Sequence, residues 1–191
     1  MRPEVESRTV YFEHPGVETT ENTLQIAKHR AEELGIKEVI VASTTGDTAV
    51  RAMDILKGLR VVVVTHVAGM REPNVQEFTE KNRQMVESKG GIMVTAAHAF
   101  SGLSSAMRHK FNTYVIGDIV ANTLRIFGQG VKVACEVTLM AADSGLVLTG
   151  EDVISVAGTG HGADTALLLT PVISRNFFDL KVKEILCKPH H

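Results

Sequence analysis

The chain has 191 residues, of which 44% are hydrophobic and 22% charged, and this size and composition suit one globular domain with a substantial core. A formal net charge of −2 excludes a global basic field that would recruit nucleic acid or an anionic membrane, and the absence of Trp argues against a base-stacking surface. Few cysteines, no apolar run as long as a membrane span and a charged first segment predict a soluble cytoplasmic protein. We therefore expect a single domain over residues 1–191, with neither nucleic acid nor a membrane as partner.

The two ends are interpreted as additions to this domain. Residues 1–18 are an N-terminal extension and residues 176–191 a C-terminal tail, whose last two residues, His190-His191, resemble the remnant of a purification tag. Cys135 and Cys187 form no CxxC pair, so we expect both to be reduced thiols buried as small hydrophobic side chains.

The first half of the chain alternates predicted strands and helices. The predicted elements are a strand at 9–13, a helix from Thr19 or Thr20 to Leu34, a strand at 36–42, a helix that begins at 45–47 and stops at Gly58, a strand at 59–65, a helix with Val75, Phe78, Met85 and Val86 inward, and a strand at 92–97. The β-branched run at 59–65 is typical of a strand buried on both faces, as in a parallel sheet. The alternation predicts βαβ units.

The second half of the chain is less regular. We predict a polar loop with a helical turn at 99–113, a helix at 114–127, and strands at 152–157 and 166–172. The segment 131–144 alternates like a strand at its start, but its length and the following Gly145 favour a buried helix. The tail is compatible with a short strand or a helix.

In open parallel sheets, ligands bind at the carboxyl ends of the strands. The loop after the predicted strand at 36–42 is therefore a candidate site. It runs directly into a helix start, where free N–H groups and the helix dipole favour an anion such as phosphate. A helix cap by Thr44 or Thr45 without any ligand explains the same residues equally well. The candidate residues in this loop are Ser43, Thr44, Thr45, Gly46, Asp47 and Thr48.

A second loop follows the strand at 152–157 and contains the sequence GTGHG. It half resembles a dinucleotide fingerprint, but a strand-like segment follows it instead of a helix, so a flexible hairpin loop is the alternative interpretation. Its hydroxyl and amide groups would close over a ligand held by the first loop. The candidate residues here are Gly158, Thr159, Gly160, Gly162, Ala163, Asp164 and Thr165.

Histidines also lie at or near predicted strand ends. His66, His98 and His161 would cluster there with acidic residues, but no HxH or HExxH spacing supports a metal, so we predict none and keep His66 and His98 as ligand contacts. Because no nucleophile elbow is present, the sequence gives no ground for asserting a Ser-His-Asp or Cys-His arrangement, and it assigns no catalytic residue.

Four charged residues allow two interpretations each. Arg71, Arg108 and Arg175 are candidate phosphate partners or ordinary surface charges. Glu136 lies in an apolar stretch and is either a buried, paired carboxylate or part of the polar face of a helix.

Several motifs together resemble the pyruvate kinase C-terminal (α/β) domain, and more closely a family of stand-alone proteins of that kind. The motifs are VASTTGDTA, VVTHVAGMREP, HAFSG, TLRIFGQGVKVACEVTLMAADSGL, GTGHGADTALLLTP and NFFDLKVKEI. The resemblance implies a three-layer α/β/α fold with a mostly parallel five-stranded sheet, and an FMN site formed by Thr44–Thr48 and Gly158–Thr165. Met70 and Phe100 are additional candidates for contact with the flavin ring. The resemblance does not imply kinase activity, because the pyruvate kinase barrel is not part of this sequence.

Three functions follow as hypotheses. The first is binding of a phosphorylated small molecule, foremost FMN, with flavin-dependent redox activity as an extension. The second is a regulatory or sensor module for a sugar phosphate or another phosphometabolite. The third is a hydrolase or lyase that uses the strand-end His and Asp groups. We also expect a homo-oligomer, because residues 114–147 carry more apolar surface than one sheet face needs.

Overall fold

The computed structural model describes residues 4–190, so residues 1–3 of the predicted extension and His191 of the terminal pair lie outside it. The strands are β1 (Val10–Phe12), β2 (Glu38–Ala42), β3 (Arg60–Val64), β4 (Ile92–Val94), β5 (Val153–Ala157), β6 (Thr165–Thr170) and β7 (Lys181–Pro189). The α-helices are α1 (Thr20–Leu34), α2 (Asp47–Ile55), α3 (Glu80–Ser88), α4 (Gly102–Phe111), α5 (Ile116–Arg125) and α6 (Gln129–Asp143). Two short 3-10 helices span Val17–Thr19 and Ser174–Asp179.

The strands of residues 4–190 form one seven-stranded sheet in the order β1-β7-β6-β5-β2-β3-β4. Neighbouring strands are parallel except at β6, which runs antiparallel to both β5 and β7. The mostly parallel α/β fold is therefore confirmed, whereas the predicted number of five strands is wrong. The two strands beyond five are β1, which corresponds to the predicted strand at 9–13, and β7 in the tail; β1 pairs with β7, and β7 pairs with β6.

Helices cover the sheet on both faces, which gives the three layers. Along β2, Val39 and Val41 face one buried cluster together with α1 and α2, and Ile40 faces the other together with α6. This alternation is the two-residue period of a strand that is covered on both sides. Cys187 and Cys135 lie in these two clusters, respectively, and burial raises the pKa of each thiol to about 12, which confirms the prediction of buried thiols.

The segment 131–144 belongs to helix α6, as predicted. Its residues are buried almost throughout because the helix packs on β5, β2 and β6 with one side and on α5 with another. Full burial removes the need for a polar face, and this explains why the sequence shows no clear helical period. Within the described residues, no helix is long and apolar enough to cross a bilayer.

Two local predictions are wrong. Residues 102–111 form the regular helix α4 instead of a loop with one helical turn; it has no buried residue, so its apolar side chains follow no inward pattern. Helix α3 begins only at Glu80, after Thr79, whose hydroxyl accepts from the Asn82 N–H as an N-cap. Phe78 is buried as expected but precedes the helix, and the prediction that Val75 faces inward is wrong, because Val75 is exposed.

Candidate functional site

A cavity of about 550 Å³ lies at the carboxyl-terminal edge of β2, β3 and β5, within the usual size range of small-molecule sites. It gathers the loops that follow these strands and one side of α6. The predicted site residues in its wall are Ser43, Thr44, Thr45, Asp47, Thr48, His66, His98, Gly158, Gly160 and Gly162. The chain thus brings most of the predicted residues together, while their contact with a ligand stays a prediction.

A larger cavity of about 770 Å³ lies at the opposite edge of the sheet, beside the starts of β2 and β3. Its wall includes residues 34–38 and 145–148. We favour the smaller cavity as the functional site, because ligands of open α/β sheets bind outside the carboxyl ends of the strands.

The loop before α2 is held in shape by its own side chains. The Ser43 hydroxyl is buried and accepts from the Ala49 N–H at 3.3 Å, which places it inside the helix start. Gly46 has φ +101°, and a Cβ there would lie 2.5 Å from Cβ of Asn82 and 2.8 Å from the Phe78 ring. Gly46 is therefore required for the close packing against the α3 region.

Asp47 lies in the first turn of α2 and is already engaged on both carboxylate oxygens. Its Oδ2 accepts from the Thr45 hydroxyl at 2.9 Å, and its Oδ1 accepts from the Asn82 amide at 3.0 Å. The same Asn82 amide donates to the Thr45 carbonyl at 3.0 Å. These hydrogen bonds hold the loop in place, so Asp47 stabilises the conformation of the site.

The glycine-rich loop connects β5 to the antiparallel β6 and is tied down by buried groups. Asp164 is fully buried; its Oδ2 accepts from the Thr159 N–H at 2.8 Å and its Oδ1 from the Thr165 hydroxyl at 2.6 Å. The Ala163 N–H donates to the Thr20 hydroxyl at 3.0 Å. Ala163, Asp164 and Thr165 therefore support the hairpin loop from behind, and with Gly46 and Thr159 they do not line the cavity.

His66 connects the first loop to the segment that follows β3. Its Nε2 lies 3.2 Å from the Thr44 hydroxyl, and its Nδ1 lies 2.9 Å from Oε2 of Glu77. The other oxygen of Glu77 lies 3.1 Å from Nε of Arg71. Glu77 is not among the predicted site residues, because it belongs to no strand end and its spacing from His66 matches no motif.

His98 lies beside His66, with the ring centroids 5.2 Å apart. Burial lowers the pKa of His98, and the nearby carboxylate of Glu136 opposes this effect only in part. Its Nε2 accepts from the Val67 N–H at 3.3 Å. His98 is therefore a neutral imidazole at neutral pH, with its proton on Nδ1.

Helix α6 contributes a buried ion pair to the cavity wall. The Lys132 ammonium donates to Oε2 of Glu136, and Oε1 of Glu136 accepts from the Phe100 N–H at 2.9 Å. Of the two interpretations of Glu136, the buried and paired carboxylate is correct. The Phe100 ring packs against Phe177 and is not in the wall, whereas Met70 is.

Basic side chains line the same cavity. Arg71 is the predicted arginine that reaches it, while Arg108 pairs with Asp118 elsewhere and Arg175 lies outside the wall. Arg51 of α2 and Arg125 of α5 also line the cavity, and neither was predicted, because both look like ordinary helix surface residues in the sequence. Within residues 4–190, no group of three or more His, Cys, Asp or Glu side chains is placed to hold a metal ion.

The fold and this site define an α/β domain with a ligand-sized cavity at the carboxyl-terminal edge of a mostly parallel sheet. Residues 21–169 match the family described as "Pyruvate kinase, alpha/beta domain", and the chain belongs to that family.

Similar solved structures include pyruvate kinases from Cryptosporidium parvum. One is 13% identical to this chain; the alignment covers 81% of this chain and 23% of that pyruvate kinase, with a TM-score of 0.42. Another, in complex with ADP, is 15% identical; the alignment covers 78% of this chain and 23% of that pyruvate kinase, with a TM-score of 0.39. The chain thus spans about a quarter of the length of these pyruvate kinases.

Proposed function

We propose that this chain binds a phosphorylated small molecule, with FMN as the first ligand to test, in the cavity at the carboxyl-terminal edge of the sheet. The observation that carries the proposal is the convergence of two strand-end loops, 43–48 and 158–162, on one cavity that also has basic side chains in its wall. Such sites combine a mostly preformed cavity with a few placed polar groups.

The phosphate end of the ligand would bind at the start of α2. The first N–H groups of a helix have no acceptor within the helix, and together with the helix dipole they favour an anion. The Thr45 hydroxyl already donates to Asp47, but Thr48 and Arg51 also line the cavity near this helix start and carry a hydroxyl and a guanidinium. These groups match the donors that a phosphate monoester requires.

The ring end of FMN would contact the apolar part of the wall. This part is formed by Val64, Met70, Val133, Val137 and Met140. FMN bound there would supply electron-transfer chemistry, while the chain supplies binding and orientation.

The direct test is calorimetry with FMN and with riboflavin, which lacks the phosphate. We expect FMN to bind at least about tenfold more tightly, a difference of roughly 1.4 kcal/mol. Thr48→Val and Arg51→Gln should weaken FMN binding and leave riboflavin binding unchanged. Arg175→Gln, outside the wall, is the matched control. FMN is excluded as the ligand if it does not bind or if the two compounds bind equally.

A sugar phosphate is the second candidate, and the cluster of basic residues favours it. Arg51, Arg71 and Arg125 line a single cavity, which suits a ligand with two phosphate groups. A thermal-shift screen separates the candidates, since a ligand that binds the folded chain raises its melting temperature. Stabilisation by sugar bisphosphates and not by FMN would identify a sensor module for sugar phosphates.

A further inference from the structure

Thr44, His66 and Glu77 form a continuous hydroxyl–imidazole–carboxylate chain in the cavity wall. The hydroxyl lies 3.2 Å from Nε2, and Nδ1 lies 2.9 Å from the carboxylate. The three residues come from the loop after β2, the segment that follows β3 and the loop before α3, so the fold, and not a local motif, assembles them. Nucleophilic triads are recognised by this geometry and these roles, whatever their order along the chain.

The hydrogen bonds define the direction of proton transfer. Glu77 has no proton to donate when ionised, so Nδ1 of His66 donates to it and Nε2 is left as the acceptor. The Thr44 hydroxyl then donates to Nε2, which is the arrangement that activates a hydroxyl as a nucleophile. Arg71 holds the second oxygen of Glu77 at 3.1 Å and fixes the carboxylate.

The chain is placed where a substrate would meet it. Thr44 and His66 both line the cavity, and the His66 side chain is 31% exposed whereas Glu77 is only 13% exposed. The reactive end is thus accessible and the orienting end is shielded. A chain that only tied two loops together would not require its hydroxyl end in the cavity wall.

We propose that Thr44 is a nucleophile for ester hydrolysis, with His66 as general base and acid and Glu77 as a positioning residue. The substrate class is a carboxylic ester that carries an anionic group, because Arg51 and Arg125 line the same cavity. This activity goes beyond the binding function proposed above and does not require a phosphorylated ligand.

The reaction proceeds in two balanced steps. The Thr44 oxygen attacks the carbonyl carbon, its proton passes to Nε2 of His66, and the same proton leaves with the departing alcohol as the ester C–O bond breaks. Water then attacks the acyl-Thr44 ester and gives a proton to His66. His66 returns this proton to the Thr44 oxygen as the carboxylic acid departs, so water is the only co-reactant.

The test uses two activated esters, p-nitrophenyl acetate and the anionic p-nitrophenyl 4-sulfobutanoate, whose sulfonate is too weak a nucleophile to cleave its own ester. We expect wild type to release p-nitrophenol, with faster turnover of the sulfobutanoate and an acyl group on the Thr44 peptide in mass spectrometry. Thr44→Val and His66→Gln should reduce the rate at least 100-fold, and Thr44→Ser should retain activity. His29→Gln, an exposed histidine on α1, is the matched control and should behave as wild type.

The positioning role of Glu77 is tested by a measurement that a purely structural role would leave unchanged, the position of the proton on His66. In Glu77→Gln we expect the rate to fall by about 10⁴-fold, as expected when the imidazole takes the wrong tautomer. Long-range ¹H–¹⁵N spectra should show the His66 proton on Nδ1 in wild type and on Nε2 in the variant, while circular dichroism confirms that both chains are folded. The proposal is overturned if wild type is no faster than Thr44→Val on either ester, or if the acyl group is found on another residue.

Discussion

Burial of His98 in the cavity wall makes the stability of the fold depend on pH. The pKa of His98 in the folded chain is lowered from 6.5 by burial. Below pH 6.5 the unfolded chain takes up a proton at His98 that the folded chain resists, so the stability contribution is complete above pH 6.5 and is lost as the pH falls from 6.5 through the lower pKa of the folded chain. The sign follows from the neutral form being the one that the fold accommodates.

This coupling predicts a difference between wild type and His98→Gln. The free energy of unfolding of wild type should decrease more steeply between pH 7.5 and 5.5 than that of the variant, because the variant has no imidazole to protonate. Urea unfolding at several pH values measures both. A difference between the two chains that stays constant across this range would show that His98 does not cause the effect.

At the scale of a single element, α6 carries a buried ion pair inside a mostly apolar helix. Removing one partner of such a pair leaves an uncompensated charge, which typically costs 3–5 kcal/mol. We therefore expect Glu136→Gln to destabilise the fold by about 3 kcal/mol through the charge left on Lys132. The Gln side chain still offers an acceptor to the Phe100 N–H.

Adding Lys132→Met to Glu136→Gln should restore most of this loss, because the double variant buries no charge. Denaturant unfolding of the two single variants and the double variant completes the cycle. If the two single losses simply add, the two side chains do not act as a pair.

The contact between α6 and the β5–β6 hairpin depends on Gly130. A Cβ at this position would lie 2.6 Å from Cβ of Thr165 and 2.9 Å from Oδ1 of Asp164, both of which are fully buried. We expect Gly130→Ala to lower the free energy of unfolding by about 1–3 kcal/mol as the packing is forced apart. Gly102→Ala on α4 is the control, because its Cβ would meet its nearest neighbour only at 3.9 Å. Similar stabilities of the two variants would refute the packing argument.

The sequence predicts those elements whose burial leaves a pattern. Strand β3 was predictable because a continuous β-branched run is typical of a strand covered on both faces. The candidate loops were predictable because ligands of open parallel sheets bind at the carboxyl ends of the strands. Helix α4 was not predictable, because its apolar side chains point to solvent. Glu77 and Lys132 join the site through tertiary packing, and spacing along the chain does not record such contacts.

At the scale of the whole molecule, α4 and α5 present an exposed apolar surface, which we call the α4–α5 surface. Its exposed side chains are Leu103, Phe111, Tyr114, Ile116, Ile119, Ile126 and Phe127. The sequence located the apolar excess at 114–147, but the α6 part of that range is buried within the chain. We propose that the α4–α5 surface is the contact of a homo-oligomer, since exposed apolar patches mark association sites.

Charged substitutions on this surface test the proposal. Ile116→Lys combined with Ile119→Lys should convert the assembly to monomers in size-exclusion chromatography with light scattering. Phe178→Lys, at a similarly exposed position on a 3-10 helix, is the control and should leave the mass unchanged. A monomeric wild type, or an assembly that survives the double substitution, contradicts this interface.

We propose that a phosphorylated ligand binds where the loops 43–48 and 158–162 converge. The most direct measurement is the ¹H–¹⁵N spectrum of the protein during titration with FMN, because it locates binding residue by residue. We predict saturable shifts of the amides in residues 43–48 and 158–162. If no amide shifts, or if the shifts are confined to residues 34–38 and 145–148 around the opposite cavity, FMN does not bind at the proposed site.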